Sequence, residues 1–195
     1  MKVRAAVPDD LPRLLALERQ ADTAAHWGEQ HYSALLTQAA SGTGESGSGP
    51  RRICLVVEVA SESQAGVKAG AASATGEEAP GARSEVAGFI VAQSLGAEWE
   101  IENLAVEAGS RRRGLASRLL QQLLGCALEA GATHIALEVR ESNHAARGLY
   151  AKWGFREAGQ RRNYYRDPQE SAILLLYTAT PAGTKGEAGG TPCKR

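Results

Sequence analysis

At 195 residues the chain is long enough for one well-buried domain and short for two. Lys plus Arg equals Asp plus Glu at 22 each, so no global field favours nucleic acid or an anionic membrane, and any attraction for an anion must be local. Cys54, Cys126 and Cys193 are odd in number, far apart and without metal-ligand spacing, which argues against a disulfide framework or a metal site and for a reducing compartment.

In chain order, Lys2 to Ala6 reads as a first strand, preceded by no apolar leader. Asp9 is placed to cap a helix carrying Leu11, Leu14, Leu15, Leu17 and Glu18, with Pro12 tolerated in its first turn. A second helix is expected from Gly28 to Gln38, with Tyr32, Leu35 and Leu36, after the pair His26-Trp27. That pair can be a packing anchor between the helices or a substrate contact, and the two readings weigh evenly. Ile53 to Val59 and Val86 to Leu95 are β-branched runs that read as neighbouring antiparallel strands. The Gly/Ser-rich stretch 41–50, the Ala/Gly/Ser/Glu-rich stretch 61–83 and the tail 180–195 cannot bury enough to order themselves and are expected to be disordered, leaving a single domain over 1–179. No window approaches the roughly eighteen apolar residues of a membrane span, so a soluble, cytoplasmic protein is expected.

The centre of the chain is a strand from Trp99 to Val106, a basic turn at Arg111, Arg112, Arg113 and Gly114, and a helix to Ala130 stopped by Gly131. Leu115, Leu119, Leu120, Leu123, Leu124, Ala127 and Leu128 make its apolar stripe. A turn opening such a helix leaves the first backbone N–H groups unpaired and facing outward, and Gly114 lets a ligand come close to the main chain; together they form an anion site. Three forked guanidinium groups beside it suit phosphate oxygens, although a solvated charge run capping a helix would look the same in sequence.

Beyond the helix, His134 to Arg140 alternates Ile135, Leu137 and Val139 with Ala136, Glu138 and Arg140, the pattern of a strand. Ser142 or Asn143 then caps a short helix whose Ala146, Leu149, Tyr150 and Trp153 share a face and which ends at Gly154. Phe155 to Gln160 and Ala172 to Thr178 read as closing strands separated by a polar, aromatic loop from Arg161 to Tyr165. The order β-α-α-β-β-β-α-β-α-β-β belongs to an α/β protein with a mixed sheet.

The basic turn, Arg111-Arg112-Arg113-Gly114-Leu115-Ala116, resembles the pyrophosphate loop of the GNAT acetyltransferases. From Glu100 to Tyr177 the resemblance narrows to the bacterial ribosomal-protein alanine N-acetyltransferases. It is carried by Asn103-Leu104-Ala105-Val106, Arg112-Arg113-Gly114-Leu115-Ala116, Leu137-Glu138-Val139-Arg140, Ser142-Asn143, Leu149-Tyr150, Gly154-Phe155 and Arg162-Asn163-Tyr164-Tyr165. The first third matches more loosely, and Glu102 stands where the family usually has an apolar residue.

The resemblance implies the GNAT fold, a mostly antiparallel seven-stranded sheet flanked by about four helices. It further implies acetyl-coenzyme A as acetyl donor, no metal, and the N-terminal amine of a ribosomal protein as acceptor. Backbone groups of Leu104, Ala105 and Val106 would hold the pantetheine. Arg111, Arg112, Arg113, Gly114, Leu115, Ala116 and Ser117 would hold the pyrophosphate, and Asn143 would reach the thiol end. Glu138 would be the general base, since a peptide amine of pKa about 8 must lose a proton to attack. Read without the family, Glu138 is an ordinary strand carboxylate paired with a neighbouring arginine. Tyr150 matches the proton donor to the departing thiolate and reads equally as a core aromatic. The alternatives are an acetyltransferase of broader peptide or small-amine specificity, and a module that binds acetyl-coenzyme A without transferring the acetyl group.

Overall fold

The computed structural model describes residues 1–21, 27–40, 51–60 and 84–179. The stretches 41–50 and 61–83, the tail 180–195, and with them His26 and Cys193, lie outside the described residues. The elements are β1 (Lys2–Ala5), α1 (Leu11–Arg19), α2 (Glu29–Ala40), β2 (Arg51–Ala60), β3 (Ser84–Leu95), β4 (Glu98–Val106), α3 (Leu115–Glu129), β5 (His134–Arg140), α4 (His144–Lys152), β6 (Arg156–Arg166) and β7 (Gln169–Thr178). The strands form one sheet in the order β1-β2-β3-β4-β5-β7-β6, antiparallel throughout except where β4 meets β5. This is the expected α/β architecture with its mixed sheet.

Two cores lie on the two faces of the sheet. One gathers α3 and Tyr150 of α4 against Ile90, Ala92, Trp99, Ile101, Ile135, Leu137 and Val139. The other gathers Leu14, Leu17, Tyr32, Leu35 and Leu36 of α1 and α2 against Val56, Phe89, Val91 and Ala105. The α3 stripe is buried from Leu115 to Ala127, but Leu128 is 42% exposed. At 3.6 residues per turn Leu128 lies roughly 220° round the helix from Leu115, past the arc that ends at Leu124.

β4 changes face in mid-strand. Ala92 is opposite Ile101 and Val91 is opposite Asn103, so Glu102 is an extra residue in the ladder. Before this bulge the odd residues Trp99 and Ile101 enter the α3-side core; after it Leu104 and Val106 do, while Ala105 turns to the α1/α2 side. Two expectations require correction nearby. The carboxylate that orders the start of α1 is that of Asp10, not Asp9: Asp10 Oδ2 accepts from the Val7 N–H at 2.8 Å and, with Oδ1, takes both terminal nitrogens of Arg4 at 2.6 and 2.9 Å. The stretch from Arg161 to Tyr165 is strand rather than loop, because β6 runs to Arg166 and carries a wide irregularity there, with Asn163 at φ +54°. Its alternation was hidden by the extra residues.

Asp10 also sets a pH dependence. Burial alone would raise its carboxyl pKa, but the hydrogen bonds from Arg4 and Val7 and the charge of Arg4 outweigh this and hold it below the usual value. A depressed folded-state pKa contributes stability in full above the unfolded value of about 3.9, and the contribution is lost as pH falls through the folded value. Asp10→Asn should therefore cost about 2 kcal/mol in urea unfolding at pH 7, with the difference from the parent shrinking in acid. An equal cost at both pH values would show that the charge is not involved.

Candidate active site

β4 and β5 pair in parallel only from Glu98–His134 to Ile101–Leu137. Beyond that point β4 runs to Val106 and β5 to Arg140 with no shared ladder. Leu104, Ala105 and Val106 pair with β3 on one side, so the other edge of β4 offers backbone groups to an extended, amide-bearing ligand. The parting begins at the Glu102 bulge, which bends the strand. At the end of β4, opposite Val106, Gly88 lets β3 close on β4: a Cβ there would stand 2.9 Å from the Ala105 carbonyl oxygen and 3.0 Å from Val106 Cγ2.

The basic turn follows β4 after one 3-10 turn, Ala108–Ser110. Arg112 at φ +61° and Gly114 at φ +80° are both left-handed, and Gly114 is the residue before the first turn of α3. No side chain caps that turn and no acidic residue lies in it, so the N–H groups of Leu115, Ala116 and Ser117 face outward with the positive end of the helix. Arg111, Arg112 and Arg113 are exposed, and among the described residues none pairs with a carboxylate; Arg111 Nε donates to the Val106 carbonyl at 3.4 Å. Exposed guanidinium groups and unpaired helix N–H groups of this kind suit an anion. A Cβ at Gly114 would meet nothing within 4 Å, so glycine is needed for its φ and not for space inside the chain.

Glu138 lies just past the last residue of β5 that pairs with β4, on the face opposite Leu137 and Val139. Arg161 Nη1 is 3.0 Å from its Oε1. The arginine it meets is thus not its neighbour Arg140, which is held by Glu170 at 2.7 Å and lies 4.1 Å over the Tyr165 ring. Tyr164 is drawn in too: its phenol is pushed up chiefly by interaction with Glu138. Glu102 is held at 2.9–3.2 Å by Nε and Nη2 of Arg52.

Tyr150 is 5% exposed in the α3-side core, edge-on to Phe155 at 5.4 Å. Burial pushes its phenol far up, which keeps it protonated and able to donate. Glu138 and Tyr150 thus stand on opposite faces of the sheet, which meet where β4 and β5 part. Asn143 is the cap of α4, its Oδ1 accepting from the Ala146 N–H at 3.1 Å. That leaves its amide nitrogen to reach outward.

Beneath β4 is a cluster that sequence reasoning did not foresee. Glu18 Oε1 accepts from the Trp27 N–H at 2.8 Å, the Tyr32 hydroxyl at 2.8 Å and Asn103 Nδ2 at 3.1 Å, and Glu18, Tyr32 and Asn103 are all buried. It ties both N-terminal helices to β4 one residue past the bulge. Trp27 stacks on His31 at 4.2 Å and tilts against Tyr32 at 5.5 Å, packing against the α1/α2-side core. An acidic residue inside the apolar pattern of α1 was the available signal.

Residues 61–155 match the model of the acetyltransferase (GNAT) family. The [ribosomal protein bS18]-alanine N-acetyltransferase of Escherichia coli K12 is 40% identical over 93 residues, 47% of this chain and 63% of the relative. The Haemophilus ducreyi protein of the same name is 33% identical over 99 residues, 49% of this chain and 68% of the relative. The chain spans about half to two thirds of the length of the curated relatives it matches. In three dimensions the crystal structure of the E. coli ribosomal-protein-S18-alanine N-acetyltransferase superposes with a TM-score of 0.63 at 26% identity, covering 96% of this chain and 99% of that one. A sheet opened between β4 and β5, a basic turn leading into α3 and these likenesses in sequence and shape converge: the chain belongs to the GNAT family of acetyltransferases.

Proposed function

We propose that this protein transfers the acetyl group of acetyl-coenzyme A to the N-terminal α-amine of a protein, the N-terminal alanine of a small-subunit ribosomal protein, with a single domain over residues 1–179 carrying the activity. The observation that bears most weight is the edge of β4 left unpaired by β5, followed past a 3-10 turn and the basic turn by an uncapped helix N-terminus. One surface offers partners to peptide-like amides and the other to a pyrophosphate, and coenzyme A carries both groups in that order. The names of the relatives support the acceptor.

Acetyl-coenzyme A supplies an activated acyl carbon. Leu104, Ala105 and Val106 would bind its pantetheine along β4, and Arg111, Arg112, Arg113, Gly114, Leu115, Ala116 and Ser117 its pyrophosphate, with Asn143 Nδ2 near the thiol. Glu138 takes the proton that the acceptor amine must lose. Tyr150, neutral in its buried place, donates a hydrogen bond to the leaving sulfur. A thiolate whose conjugate acid has a pKa of about 8.5 does not pull the proton from a phenol whose ordinary value is about 10, so Tyr150 stabilises charge rather than giving the proton away.

The reading is tested by incubating the protein with acetyl-coenzyme A and peptides beginning Ala, Ser, Met and Gly, beside a free polyamine, and locating the acetyl group by mass spectrometry. Acetyl on the α-amine of the Ala peptide is the expected result; acetyl only on the polyamine would replace the acceptor. The turn has its own test. In Gly114→Val a β-branched residue is forced to φ +80°, so the turn must rearrange and the KM for acetyl-coenzyme A should rise tenfold or more, about 1.4 kcal/mol. A folded variant with unchanged KM would remove the turn from the coenzyme site.

A further inference from the structure

The partner of Glu138 is itself informative. Arg161 reaches it from β6 across β7: Glu138 is opposite Leu174, and Leu174 is opposite Gly159. The irregularity of β6 just beyond Arg161 sets Tyr164 under the guanidinium, 5.5 Å from ring centre to Cζ. The two members of the pair are unequal. The Glu138 side chain is 20% exposed on a central strand, and that of Arg161 is 55% exposed on the edge strand. Arg140 is committed to Glu170 and the Asp167 carbonyl, and Arg52 to Glu102.

An acceptor amine arrives as an ammonium with three N–H donors, and the carboxylate that must receive it is the one whose Oε1 Arg161 holds. We infer that Arg161 is a displaceable counter-ion of Glu138, standing in the place of the acceptor ammonium and swinging into water when the acceptor binds, and so a determinant of acceptor affinity. The inference rests on the proposed role of Glu138 as base. Exposure is what allows the exchange, because a guanidinium returning to water from a solvent-facing pair gives up little, whereas a fully buried pair would resist.

The comparison is steady-state kinetics of the parent, Arg161→Gln and Arg161→Lys on the peptide beginning Ala. Arg161→Gln should lower the acceptor KM about two- to fivefold, the range of an exposed ion pair, while the KM for acetyl-coenzyme A and the melting temperature stay put. Arg161→Lys, which keeps the cation, should restore most of the parent value. In the Glu138→Gln background, Arg161→Gln should change acceptor binding, measured by calorimetry with coenzyme A present, no further. An unchanged acceptor KM in Arg161→Gln overturns the inference, and so does a raised one, which would mean that Arg161 grips the acceptor directly. If the parent acetylates only a free amine, the proposed acceptor fails and the same comparison is decided on that amine; if it acetylates none, the reading of the site and the counter-ion role fall together.

Discussion

Glu138→Gln should reduce kcat on the order of 10²-fold at pH 7, about 2.7 kcal/mol, and leave the KM for acetyl-coenzyme A nearly unchanged. The substitution keeps the shape of the side chain and its place on β5, and removes its charge together with the capacity to take a proton. The coenzyme surfaces, the edge of β4 and the start of α3, do not involve it. The loss should shrink as pH passes about 8, because the acceptor amine then sheds its proton to solvent unaided. Tyr150→Phe should also lower kcat, but without that recovery, since its hydrogen bond serves the leaving sulfur rather than the amine. Rates of peptide acetylation below and above pH 8 separate the two roles. Full activity of Glu138→Gln at pH 7 would pass the role of base to Glu102, whose side chain is nearly sheltered and bound by Arg52. Full activity of the Glu102→Gln, Glu138→Gln double variant would refute carboxylate base catalysis here.

Glu18→Leu should destabilise the protein by about 3 kcal/mol or more, the largest effect expected of a residue outside the site. Glu18 is 2% exposed, and one of its oxygens receives three donors. Leucine fills much of the space but leaves the Trp27 N–H and a hydrogen of Asn103 Nδ2 without that acceptor, and forces the Tyr32 hydroxyl to turn. Each stranded donor costs about 1–3 kcal/mol. Glu18→Gln retains an acceptor and should cost about half as much. The urea midpoint should fall with an unchanged slope, because the surface exposed on unfolding is the same. A shift of less than about 1 kcal/mol would mean that the three donors find other partners, water included.

What the chain determined locally was legible without coordinates. The 3.6-residue stripe of α3, the alternation of β5 and Gly131 and Gly154 at helix ends depend on neighbours within a few residues, and the structure has them where the pattern says; of the two caps offered for α4, Ser142 and Asn143, it takes Asn143. The α/β class with a mixed sheet follows from the alternation of those elements. The basic turn was legible for the same reason: a glycine and three arginines before an apolar helix carry their chemistry in one short segment. Leu128 and the Arg161–Tyr165 stretch misled because periodicity does not record where a core ends or where a strand takes in extra residues. The parting of β4 from β5, the switch of face at Glu102, the Glu18–Tyr32–Asn103 cluster and the Arg161–Glu138 pair were decided by tertiary structure alone. Each joins residues from strands or helices distant in the chain, or depends on which register two strands adopt, and a single sequence carries no local mark of either. Glu138 sits at the border: its strand and its face could be read from alternation, but that it stands just past the last residue of β5 paired with β4, with an exposed arginine as its counter-ion, follows only from how the sheet is assembled.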